Sequence, residues 1–189
     1  MPADQSPGDK GPPQAPPQAP PQALPQALPP GGAFDIRIAR DGTWFHEGAP
    51  IGRKPLVKLL ASVLRRDADG AFWLQTPVER GRIEVEDAPF TAVELSVKGR
   101  GRDQILAFRT NLDDWVEADS EHPLRVVEKP DSRVISPYIT VRDGLEALIL
   151  RPLYYELAEI AVAPPAESPL GRSSLGVWSK GVFFFLGSL

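Results

Sequence analysis

The chain contains no cysteine, two histidines (His46 and His122) and one methionine. Without cysteine there is no disulfide scaffold, no iron–sulfur cluster, no thiolate-bound zinc and no thiol nucleophile. Two histidines exclude a catalytic zinc held by three. Long apolar runs are missing as well. The longest, Val182–Leu186, has five residues, against about 20 needed to cross a bilayer, so no membrane span is expected. Met1-Pro2-Ala3-Asp4-Gln5 shows no basic stretch leading into an apolar one. No secretory signal is read there, and a cytoplasmic location is expected. An excess of basic charge is also absent. The 21 Lys and Arg against 25 Asp and Glu leave a net charge of −4, which argues against nucleic acid as a partner, because phosphate contacts need a basic face.

Proline, by contrast, is plentiful: 22 in 189 residues, eleven of them within residues 1–33. Residues 12–30 read Pro-Pro-Gln-Ala three times, then Leu24-Pro25-Gln26-Ala27 and Leu28-Pro29-Pro30. Proline fixes φ and removes amide donors, so residues 1–33 are expected to be a disordered spacer. Pairs such as Pro13/Pro16 and Pro17/Pro20 match the spacing of ligands for aromatic grooves, which gives a protein-adaptor reading its motive. The rest is enough for one domain, or for two half-domains sharing a core.

Phe34–Ile38 alternates apolar and polar, the period of a half-buried strand. Asp41-Gly42 marks a turn and Thr43–Glu47 the return strand. Pro55 suits a helix start, where its missing amide costs nothing. Leu56, Leu59, Leu60, Val63 and Leu64 then predict one buried helical face, with Arg65 and Arg66 at the C-terminal end of the dipole. Strands are predicted at Ala71–Thr76, Arg82–Glu86, Phe90–Val97 and Gln104–Thr110, the last two paired across an exposed tip at Lys98–Asp103. Further strands follow at Leu124–Val127, Val134–Val141 and Leu145–Leu150. Pro152 opens a second helix, with Leu153, Leu157, Ile160 and Ala161 on one face, and two short C-terminal strands close the chain at Val177-Trp178 and Val182–Leu186. Helices do not alternate with strands, so the expected class is α+β and mainly antiparallel β with two helices.

The helices share a prelude. Arg40-Asp41-Gly42, a strand and Lys54-Pro55-Leu56 match Arg142-Asp143-Gly144, a strand and Arg151-Pro152-Leu153. The first unit is five residues longer between Asp and Pro (14 against 9), which a loop around Glu47–Gly52 absorbs. This predicts a duplicated strand-turn-strand-helix motif in two half-domains, residues 34–110 and 111–189, facing each other across a core or a cleft.

Several strings are familiar. Phe34-Asp35-Ile36-Arg37-Ile38, Asp41-Gly42-Thr43-Trp44, Pro50-Ile51-Gly52-Arg53, Thr76-Pro77-Val78-Glu79, Val85-Glu86-Asp87-Ala88-Pro89-Phe90, Phe108-Arg109-Thr110-Asn111 and Leu175-Gly176-Val177-Trp178-Ser179 resemble an uncharacterised bacterial family, domain of unknown function 1285. The resemblance covers residues 34–189 and implies a small α+β fold with repeated motifs and a regulatory or signalling role. It supplies no catalytic residue.

Chemistry finds few footholds. There is no G-x-S-x-G around a serine. Gly171–Gly176 has phosphate-loop spacing, but Val177 stands where lysine is required. Gly99-Arg100-Gly101 lacks the third glycine of a dinucleotide loop. His46 and His122 read as surface residues. Glu79, Glu84, Glu86 and Asp87 form the densest acidic group. On one strand face Glu84 and Glu86 stand about 7 Å apart, so Glu84, Glu86 and Asp87 are the metal candidates of an alternative reading, a metal-dependent hydrolase. The leading reading uses Arg40, Arg53, Arg142 and Arg151, placed alike in the two units, with Trp178. Arginines near helix starts suit an anion. The expectation is a non-enzymatic module that binds a small anionic ligand or a protein partner, without a cofactor.

Overall fold

The computed structural model describes residues 31–128, 135–165 and 173–188. The proline repeat, Val134 and Gly171 lie outside the described residues. The first half runs β1 (Gly32–Ile38), β2 (Trp44–His46), β3 (Ala49–Pro50), α1 (Lys54–Ser62), β4 (Leu64–Arg66), β5 (Phe72–Gln75) and β6 (Arg80–Val85). Its sheet has the order β3-β2-β1-β6-β5-β4. The second half begins with β7 (Phe90–Lys98), β8 (Ile105–Thr110), β9 (Trp115–Glu117), β10 (Leu124–Glu128), β11 (Ile135–Arg142) and β12 (Leu145–Ile149). These form a sheet of order β10-β11-β12-β7-β8-β9. α2 (Arg151–Glu159) then leads to a hairpin of β13 (Ser174–Ser179) and β14 (Val182–Ser188). Each six-stranded sheet contains one parallel pair, β1 with β6 and β12 with β7. The other named pairs are antiparallel. The fold is α+β, mainly antiparallel, in two halves whose sheets part between β6 and β7 rather than at residue 110, because β7 pairs with β12 and carries β8 into the second sheet.

The strand-turn-strand-helix motif occurs once in each half, as β1-β2-α1 and β11-β12-α2. Both helices have nine residues, a proline in the first turn and no side-chain cap. The five extra residues of the first unit form a small hairpin, with Glu47 and Gly48 at positive φ between β2 and β3. The two Arg-Asp-Gly turns differ. Asp143 and Gly144 both take positive φ, at 45° and 72°, and make a two-residue turn that sets Arg142 opposite Leu145. Around Asp41 the loop is longer. Ala39 and Thr43 close it, the Asp41 carboxylate accepts the Thr43 amide at 2.9 Å, and only Gly42 has positive φ.

One apolar core spans both halves. Ile38, Trp44, Val57, Ala61 and Leu64 pack in the same cluster as Phe90, Leu106, Phe108, Leu145, Leu157 and Phe184. The buried face of α1 is shifted from the one the leucine spacing indicates: Leu60, Val63 and Leu64 do meet the core, but Leu56 and Leu59 do not. Val57 and Ala61 are its buried residues, while Leu56 and Leu59 are 40% and 63% exposed. The helix stops at Ser62 because the chain must enter β4, where Leu64 is fully buried opposite Leu74. Arg65 and Arg66 therefore lie on a strand, not at a helix end. α2 buries Leu153 and Leu157 as its periodicity predicts. The Lys98–Asp103 tip is also not free. Gln104 donates to the Trp178 carbonyl at 2.7 Å, and the amides of Lys180 and Gly181 reach back to Gln104 and Arg102.

Polar contacts fasten the halves together. Asn111 exchanges hydrogen bonds with the backbone of Thr91 and donates to the Gly42 carbonyl at 3.2 Å. Arg142 donates to the Ala61 carbonyl at 2.8 Å, in the last turn of α1, where a cation also suits the dipole. Lys54 and Lys58 reach Asp113 at 2.7 and 2.9 Å. Their hydrogen bonds hold the Asp113 carboxyl down at about 2, below its ordinary 3.8.

Two predictions follow from these clamps. A Cβ at Gly42 would stand 2.6 Å from Asn111 Nδ2, whereas one at Gly144 meets nothing. Both glycines have positive φ, so alanine costs about 1–2 kcal/mol at either. Gly42→Ala should lose more in urea unfolding, because it also displaces Asn111; equal losses would remove Asn111 as a clamp. The Asp113 contribution is fully present above its unfolded value near 4 and fades as pH falls towards 2. Asp113→Asn should thus be less stable than the parent at neutral pH, and the gap should close in acid denaturation below about pH 4.

Candidate functional site

A cavity of about 640 Å³ opens where the β1–β2 loop of the first half meets β11, β12 and α2 of the second. Arg40 enters from the loop. Ser136 and Leu148 come from the strands, and Arg151, Tyr154 and Tyr155 from the first turns of α2. Leu150 caps that helix, and Arg151 and Pro152 open its first turn. With Leu153 and Leu157 buried, Tyr154 packs at the edge of the core and Tyr155 turns outward. Among the described residues no Asp or Glu lines the cavity.

The two arginines are held differently. The Arg40 amide donates to Glu86 at 3.0 Å, and its side chain lies 3.1 Å from Asp87 Oδ2 and 3.4 Å from Ser136 Oγ. Tyr138 donates its hydroxyl to the other Asp87 oxygen at 2.6 Å. Asp87 keeps 11% of its side chain exposed and Arg40 keeps 50%. Oδ2 thus has a charge partner but no aligned donor. Burial, and then the bond to Asp87, push the Tyr138 hydroxyl above its ordinary value. Arg151 is exposed and makes no ion pair or side-chain hydrogen bond among the described residues. The Tyr154 hydroxyl donates to the Leu186 carbonyl at 2.9 Å, and burial raises its pKa. Tyr155 is 59% exposed.

The structure brings Arg40 and Arg151 together and places the other sequence candidates elsewhere. Arg53 is exposed ahead of α1, with its carbonyl taken by the helix amides. Arg142 faces the end of α1, 5.2 Å from the centre of the Phe90 ring. Trp178 meets Phe183 edge to face, under the Arg102 guanidinium at 4.6 Å, on the C-terminal hairpin. His46 ends β2 at the surface. His122 lies 3.1 Å from Asp119. Burial works to raise the Asp119 carboxyl, but bonds from His122 and Lys180 outweigh it and bring the pKa to about 2.

The acidic group does not converge. Glu79 and Glu84 are exposed, Glu86 pairs with Arg37, and Asp87 is taken by Arg40 and Tyr138. Among the described residues no three His, Asp or Glu side chains gather to hold a metal. Ser136, Tyr154 and Tyr155 went unnoticed in the sequence. Tyr154-Tyr155 carried a weak signal, two aromatics off the apolar stripe of a short helix. Ser136 carried none, since only the strand pairing brings it to Arg40.

Comparison with known proteins agrees with this architecture. Residues 27–88 match the profile of an N-terminal domain of unknown function (DUF1285), and residues 89–186 match the C-terminal domain of the DUF1285 proteins. The two profiles meet between β6 and β7. A crystal structure of a DUF1285 family protein from Silicibacter pomeroyi is similar at 42% identity and a TM-score of 0.77, over 85% of this chain and 84% of that one. Another, from Shewanella baltica, is similar at 26% identity and a TM-score of 0.52, over 67% of this chain and 91% of that one. A search of curated proteins gives no match.

The cavity arginines should separate in a stability measurement. Arg40→Ala leaves a nearly buried Asp87 carboxylate with Tyr138 alone, and should cost about 1–3 kcal/mol in urea unfolding. Arg151→Ala removes an exposed side chain with no partner among the described residues and should stay within about 0.5 kcal/mol of the parent.

Proposed function

The chain belongs to the DUF1285 family, whose members carry no known function, and we propose that it is a non-enzymatic regulatory module that binds a small anion in the cleft between its halves. The observation that carries this reading is a cavity at the seam whose charged lining, among the described residues, is two arginines and no acid. A guanidinium offers several donors in a fixed fork that fits carboxylate or phosphate. Arg151 brings a cation that no described residue neutralises. Arg40 brings one whose present partner, Asp87, is not aligned for a hydrogen bond.

Arg40 also gives such a ligand a means of regulation. It joins the β1–β2 loop to Ser136 of the other half, at 3.4 Å. An anion that draws the guanidinium into the cleft competes with Asp87 and Ser136, and so acts on a contact that holds the halves together. Binding is thereby coupled to the seam without any chemical step.

Thermal unfolding with inorganic phosphate, acetate, 1-naphthoate and AMP tests the reading. A ligand at a hundredfold excess over its Kd stabilises by about 2.7 kcal/mol, or about 5–10 °C in Tm for a chain of this size. At least one of the four should raise Tm in a saturable way. Arg151→Glu should abolish the rise, while Arg100→Glu, with the same charge change on the β7–β8 tip, should keep it. No rise from any of them would sink the proposal.

A further inference from the structure

We infer that the anion recognised in this cleft is carried on a flat ring, which lies against Tyr155 while the charged head sits at Arg40 and Arg151. The inference rests on the anion-binding reading and names the ligand class for the same site. Three observations carry it. The first is size. The cavity holds about 640 Å³, and a water molecule takes about 30 Å³ of liquid. An inorganic ion a few waters in volume would fill a small part of it and leave most of the wall wet. Cavities of several hundred Å³ suit molecules with an organic body.

The second is the wall. Away from the arginines the cavity is bordered by apolar side chains, including Pro137, Leu148 and Ile149, and by the two tyrosines. A mostly apolar lining with a few placed charges is the pattern of a site that orients an amphiphilic small molecule. A free inorganic anion gains nothing from that surface, and its own hydration would have to be given up beside it.

The third is Tyr155. Its neighbour Tyr154 is tied to the Leu186 carbonyl and half-buried. Tyr155 is 59% exposed and makes no side-chain hydrogen bond among the described residues. An aromatic ring left open at the edge of a cationic cavity offers a π-face for stacking, and stacking tolerates many ring types. The shared chemistry is a planar ring bearing a carboxylate or a phosphate.

Calorimetric titration with matched pairs tests this: 1-naphthoate against acetate, and AMP against inorganic phosphate. Within each pair the head group is of the same kind and only one member carries the ring. We expect the ringed member of at least one pair to bind about tenfold tighter than its partner. Tyr155→Ala should erase that advantage while Tyr155→Phe retains it. Tightening confined to naphthoate assigns an aryl carboxylate, and tightening confined to AMP assigns a nucleoside phosphate. Acetate and phosphate binding as well as their ringed partners would overturn this inference and leave the anion reading standing. Binding by none of the four overturns both. An advantage that survives in Tyr155→Ala also overturns the inference, since the ring would then be held elsewhere.

Discussion

Phe90 opens β7 with none of its surface exposed, and it shares a core with Ile38 and Trp44 of the other sheet. Trp44 and Phe108, also fully buried, belong to the same cluster. The first half, about 60 residues, buries too little surface to be stable with ease. Each sheet therefore completes its core with the other, and the two helices pack their short apolar faces into the same cluster rather than building cores of their own. The halves are fixed relative to one another by this burial before any polar contact is counted. That constraint sets where the β1–β2 loop arrives on the second half, and hence where the cleft opens.

Polar groups at the seam then follow from geometry. Asp87 lies in the short link between β6 and β7, close to the core, so its carboxylate loses most of its water. A buried carboxylate is costly unless matched. Arg40 and Tyr138 match it, one from each half. On the opposite flank Asp113 is matched by Lys54 and Lys58 while remaining exposed. The first contact uses a buried charge and the second a solvated one. Loss of Arg40 should therefore disturb the seam more than loss of either lysine.

Much of this architecture was legible. Alternation placed β1 and β6, prolines placed both helix starts, and the paired Arg-Asp-Gly strings exposed the recurring motif. What failed had physical causes. The leucines of α1 outnumber its smaller apolar residues, so a count of hydrophobic positions chose Leu56 and Leu59. The actual requirement was an early exit into β4, and Val57 and Ala61 are the residues that let the helix lie close. The two turns share a tripeptide yet differ in backbone, a two-residue turn at Asp143-Gly144 and a longer loop around Asp41, although each glycine carbonyl accepts from a side chain at 3.2 Å, Asn111 at Gly42 and Arg66 at Gly144. The cleft itself was only half readable. Sequence equivalence selected four arginines, but which of them meet depends on pairings between distant strands that periodicity does not encode.

Those pairings are reciprocal in form and unequal in effect. The arginine that opens each Arg-Asp-Gly turn crosses to the other half: Arg142 to the Ala61 carbonyl, Arg40 to Ser136. Arg142 finds a carbonyl at 2.8 Å in the last turn of α1, and its guanidinium lies over Phe90. Its donors and its charge are thereby placed, and it works as a clamp. Arg40 finds a hydroxyl at 3.4 Å and a carboxylate oxygen it does not address squarely. Its guanidinium stays half-exposed in a cavity shared with Arg151. Two copies of one motif thus give one settled contact and one unsettled contact. A site that must exchange a partner for a ligand can be built only on the second.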